Sequence, residues 1–171
     1  MRPYIVGTQH NLWTRPMLMT LLLAVHIVAA VIWVGGMFFA YVCLRPAVGG
    51  IEPASERPKL WVRTFGRFFP IVAVSVVALL VTGYAMLLGP LGGFAAAGVY
   101  VHVMHLTGLI MCAIFGHLYF GVWPKFRRAV EAGETELAGK KLSTIRMIVA
   151  VNLGLGWITV LAGSTGRYWP V

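Results

Sequence analysis

The chain has 171 residues, 59% of them hydrophobic and 11% charged, with a mean hydropathy of +0.82. Soluble domains typically carry about twice that share of charge, so composition excludes an ordinary water-soluble fold and indicates a polytopic membrane protein. The net charge of +9 would suggest nucleic acid in a soluble chain, but here the basic residues collect in particular loops, where they orient a membrane protein.

Residues 1–15 form a polar lead-in with Tyr4, His10, Trp13 and Arg15, suited to lying on a membrane surface. The first span is read at residues 16–44, opening at Pro16 and closing at Arg45-Pro46, because proline lacks a backbone donor and stops a helix. This run is far longer than a signal-peptide core, so no cleavable signal is expected. Residues 45–67 form a polar loop with five basic residues, Arg45, Arg57, Lys59, Arg63 and Arg67. Its second half, KLWVRTFGRFF, reads as an interfacial amphipathic turn.

The second span, 68–88, is followed by the uncharged turn GPLGGFAAAG, and the third, 99–123, ends at Trp123-Pro124. The next loop holds Lys125, Arg127, Arg128, Lys140, Lys141 and Arg146 beside three glutamates. The fourth span is read at 143–164, and the tail GRYWPV supplies Tyr168 and Trp169 as headgroup anchors. Short loops predict an all-α, antiparallel four-helix bundle in a single domain spanning 1–171, surrounded by lipid. The loops after the first and third spans are rich in Lys and Arg, and the loop after the second has none. The positive-inside rule therefore puts both termini on the outer side. Cys43 and Cys112 lie in apolar segments outside any CxxC spacing, which leaves packing thiols rather than disulfides or a thiolate zinc site.

Imidazoles carry the candidate chemistry, because hydrocarbon does not solvate ionisable groups and membrane spans seldom keep them without use. His26 stands 19 residues before Arg45, and His105 stands 19 residues before Pro124. On parallel helices this puts both about 28 Å from the inner ends, level with one another. His102 is one turn further out, and His117 lies 12 residues further in. His117 suits a hydrogen bond to a neighbouring helix or a second site. Diagonal helices of a bundle lie roughly 13 Å apart, which suits one imidazole from each side with a planar iron porphyrin between them. Copper is the other chemistry, with neutral imidazole as ligand and Met37, Met104 and Met111 as soft sulfur. Asn152 reads as an interhelical hydrogen-bond group or as a partner fixing a histidine tautomer. Arg15 and Arg167, beside Tyr168, stand at the outer ends of the first and fourth spans, as interfacial anchors or as partners of haem propionates.

The runs HIVAAVIWVGGMFFAYVCLRPA, RTFGRFFP, LLVTGY, YVHVMHLTGL, HLYF and GRYW together resemble the copper resistance protein D (CopD) family of bacterial inner-membrane proteins. The resemblance covers about residues 23–169 and implies a multi-helix membrane protein associated with copper uptake, with His26, His102 and Met104 as the positions carried over. A weaker resemblance, through the first- and third-helix histidines, is to the four-helix protoporphyrinogen oxidase of bacteria, which implies haem b. Met104 stands where that family's lysine is expected, so its oxidase activity is not carried over.

Members of the copper family often have more helices or a fused copper-binding domain. Their absence from this sequence, with the level histidine pair, favours redox work. The leading expectation is a b-type haem protein with His26 and His105, or His102, as axial ligands. It would pass electrons between a membrane quinol and a periplasmic redox partner, as a membrane oxidoreductase component. The alternative is copper uptake or handling at an intramembrane site of His26, His102, Met104 and His105. A third reading is a cofactor-free assembly subunit of a respiratory complex, and homo-oligomers are compatible with each.

Overall fold

The computed structural model describes residues 10–170, with side chains from Pro16 onward. Four helices are long and apolar enough to cross a membrane: α1 (Pro16–Gly49), α2 (Glu56–Leu88), α3 (Val99–Glu131) and α4 (Thr135–Tyr168). Among the described residues there is no strand. Each helix has 33 or 34 residues, about 50 Å at 1.5 Å per residue, and so exceeds the roughly 30 Å of a hydrocarbon core.

The chain runs up and down as expected, and short connections make sequential helices antiparallel neighbours. Side-chain contacts close the bundle. His26 of α1 meets Thr82 of α2, Phe65 and Phe69 of α2 meet Trp123 of α3, and Thr107 of α3 meets Thr159 of α4. Phe38 of α1 sits edge-on to Trp157 of α4 at 6.2 Å. Trp33 and Phe115 touch across the α1–α3 diagonal at 6.0 Å between ring centres.

The helices extend beyond the apolar spans because neither inner proline ends its helix. α1 continues through Pro46 to Gly49, and α3 continues through Pro124 to Glu131. In both cases a π-type segment stands immediately before the proline's turn, Phe39–Leu44 in α1 and His117–Val122 in α3. Each proline then occupies the opening of the next α segment. A wider turn moves away the carbonyl that a proline ring would strike and absorbs the missing donor, so the rod goes on.

The stretch KLWVRTFGRFF likewise belongs to α2 itself rather than to a separate interfacial turn. The four-residue spacing of Trp61, Phe65 and Phe69 aligns them on one helix face, where all three are buried. Trp61 stacks on Phe65 at 4.8 Å, and Phe65 on Phe69 at 4.7 Å. Phe126 and Ile145 are fully enclosed beside them. The packed core thus lies toward the end bearing the basic loops. At the opposite end the turn 89–98 carries Gly92 and Gly93 at positive φ, a backbone that glycine adopts without a Cβ penalty.

Candidate functional site

His26 lies in the α1/α2 crevice, held from α2. Its Nδ1 lies 2.8 Å from Thr82 Oγ1, and that hydroxyl lies 2.6 Å from the Ala78 carbonyl, to which it donates. With its single proton committed to Ala78, the Thr82 oxygen accepts from Nδ1–H, and Nε2 of His26 carries the free lone pair. Gly83 makes room: a Cβ there would stand 3.3 Å from the imidazole Cε1. A ring fixed through Nδ1–H and open at Nε2 is the arrangement in which protein histidines present themselves to metal ions.

His105, half-buried on α3, packs between aromatic edges, with Tyr84 at 5.5 Å and Phe94 at 5.0 Å between ring centres. His102, exposed one turn further out, lies near-parallel to the same Phe94 at 6.0 Å. Met104 turns toward α4, where its sulfur lies against Gly163, 2.8 Å from where a Cβ would stand.

The structure therefore brings His102 and His105 together around Phe94 and holds His26 by separate contacts. On α2, Thr82 and Tyr84 are about 200° apart around the axis, so the level His26 and His105 rings address different flanks of that helix. The expectation of haem b between them gains no support from this placement. Among the described residues, no group of three or more His, Cys, Asp or Glu side chains is close enough to hold a metal ion. Arg167 is exposed and lies over the Tyr168 ring at 5.5 Å, in keeping with an interfacial anchor. The side chains of Arg15 and His10 lie outside the described residues. His117 is exposed far toward the basic end.

Sequence reasoning missed Thr82 as the partner of His26. The signal available was a hydroxyl beside a glycine inside an apolar span, in the segment LLVTGY. It also missed the polar seam between α3 and α4. There Thr107 and Thr159 share a 2.7 Å hydrogen bond, and Thr159 reaches the Met111 sulfur at 3.7 Å. Asn152, expected as an interhelical hydrogen-bond group, is one: it is buried, donates to the Met111 carbonyl at 3.5 Å and leaves its own Oδ1 without a partner among the described residues.

Fold and site define a four-helix membrane protein with imidazoles grouped near one end. Its family follows from comparison: the model of the copper resistance protein D family matches residues 62–165, more than half of the chain, and the chain belongs to that family. No curated protein and no solved structure matches it. The match takes in His102, Met104 and His105 and leaves His26 outside.

Proposed function

We propose that the chain handles copper ions in the membrane, taking them up at the histidine end and holding them on His26, His102, His105 and Met104. Copper is here the cargo. The observation that carries the reading is the His26–Thr82–Ala78 relay, which presents Nε2 of His26 as a ready lone pair, within a family described as copper resistance proteins. Exposed His102 and half-buried His105 meet around Phe94, while the Met104 thioether faces α4 at Gly163, so imidazole and thioether, both donors that suit Cu(I), stand as successive stations rather than one cluster. Below them Met111, with Thr107, Thr159 and Asn152, offers further soft and polar groups between α3 and α4. The positive-inside rule places the histidine end on the periplasmic face, with both termini, in a bacterial inner membrane.

Cells producing the chain are expected to accumulate copper in a manner that His26→Ala abolishes, with copper bound to the detergent-purified protein. Accumulation unchanged by the chain overturns the reading. An oxidised and reduced visible spectrum of the same sample separates copper from haem. A sharp reduced α-band with stoichiometric iron, lost on His26→Ala, would instead make Nε2 of His26 an axial ligand of haem b and the protein an electron carrier serving a quinol or periplasmic redox partner.

A further inference from the structure

At the opposite end of the bundle, where α1 finishes, α2 begins and α4 passes, a cavity of about 480 Å³ is lined by three arginines, Arg45, Arg57 and Arg146, with Tyr41, Pro46, Val48 and Gly49. Among the described residues no Asp or Glu lines it. Arg57 is tied down, its Nε donating to the Ile51 carbonyl at 2.8 Å and its Nη2 to Glu52 at 2.7 Å. The other two have no acidic partner among the described residues. Arg45 lies over the Tyr41 ring at 5.1 Å, and Arg146 over the Trp61 ring at 6.0 Å. Nε of Arg146 is buried with no hydrogen-bond partner among the described residues.

Like charges facing one cavity repel, and a buried donor left unmade costs free energy, so a wall of this kind is complete only with an anion. Stacking on an aromatic face fixes a guanidinium plane while leaving its N–H edge available, and that edge matches the oxygens of a phosphate in a forked, two-bond geometry.

We propose that this cavity binds a phosphate group, carried by an anionic phospholipid headgroup or by a soluble phosphate. The site is independent of the copper reading and lies at the other end of the molecule.

The test is thermal unfolding of the full chain in an uncharged detergent. Inorganic phosphate is titrated against chloride at equal ionic strength, and phosphatidylglycerol against phosphatidylcholine. At ten times the half-saturating concentration of the effective probe, Tm rises by about 3 °C. The rise is abolished in the Arg45→Gln/Arg146→Gln double variant and retained in Arg128→Gln, an exposed arginine outside the cavity. Because two neutral substitutions can impair folding, Arg45→Lys/Arg146→Lys serves as a second variant: it keeps the charge, loses the fork and raises the half-saturating concentration about tenfold. A response to inorganic phosphate in lipid-free detergent assigns the soluble anion, and a response to phosphatidylglycerol alone assigns the headgroup. No response of the unaltered chain to either probe, or a response undiminished in both double variants, overturns the proposal.

Discussion

The two halves of this bundle are built by different rules. Toward the basic loops, Trp61, Phe65, Phe69, Phe115, Trp123 and Phe126 interlock with Ile145 in a core that water and lipid scarcely reach. Toward the histidine end the buried side chains are few and small or flexible, chiefly Ala29, Met86, Leu87 and Ala162, with Thr82 among them. Aromatic packing fixes helix register through large, rigid contact areas, whereas the histidine end is joined by single hydrogen bonds, the contacts of His105 with Tyr84 and Phe94, and the packing of Met104 on Gly163. Lipid tails are as apolar as leucine, so a membrane bundle cannot rely on hydrophobic burial and must hold itself by close packing. Concentrating that packing in one half frees the other for polar groups.

The largest effect expected from breaking this division is in the dense half. Phe126→Ala, at 0% exposure, should cost about 3–5 kcal/mol, read as a lowered unfolding midpoint in detergent with metal content per folded molecule unchanged. Next comes Thr82→Val, which keeps the shape of the side chain and removes the acceptor for His26 Nδ1. Copper affinity by equilibrium dialysis should fall about 10- to 100-fold while the unfolding midpoint barely moves, and unchanged affinity would break the link between the relay and the ion. Asn152→Leu removes a long hydrogen bond and an unpartnered oxygen together. Its effect should stay within about 0.6 kcal/mol, and a larger loss would show that the α3/α4 seam is part of the packed half. Smallest is Lys140→Ala, which removes an exposed pair with Glu136. Such pairs contribute about 0.2–0.5 kcal/mol, and their salt dependence is the check.

Much of this architecture was legible in the residues. Four apolar runs, an uncharged turn and two basic loops led to the bundle and its connectivity, because bilayer thickness and loop charge act on composition directly. Family membership was legible in the runs RTFGRFFP, LLVTGY, YVHVMHLTGL and HLYF, which lie within the matched residues 62–165. The ends of α1 and α3 were not, since Pro46 and Pro124 are strong local stop signals and the π-type segments that carry the helices past them depend on tertiary packing. The amphipathic stretch before α2 was misread for a related reason. Its arginines suggest a surface, while its burial depends on Trp123 and Phe126 arriving from more than fifty positions further along the chain. Depth along a helix could be counted, so His26 and His105 were placed level. Direction around the axis could not, and it is direction that puts them on different flanks of α2.

The widened turns in α1 and α3 have a consequence for how such a sequence can vary. Adding one residue to a turn shifts the angular phase of everything beyond it by about 100°. The side chains before Phe39–Leu44 and those after it therefore do not share a common helical face. Trp33 and Phe115 pack on the histidine side of these turns, so it is the inner ends, Arg45–Gly49 and Trp123–Glu131, that can diverge without re-aiming the histidine-bearing segments.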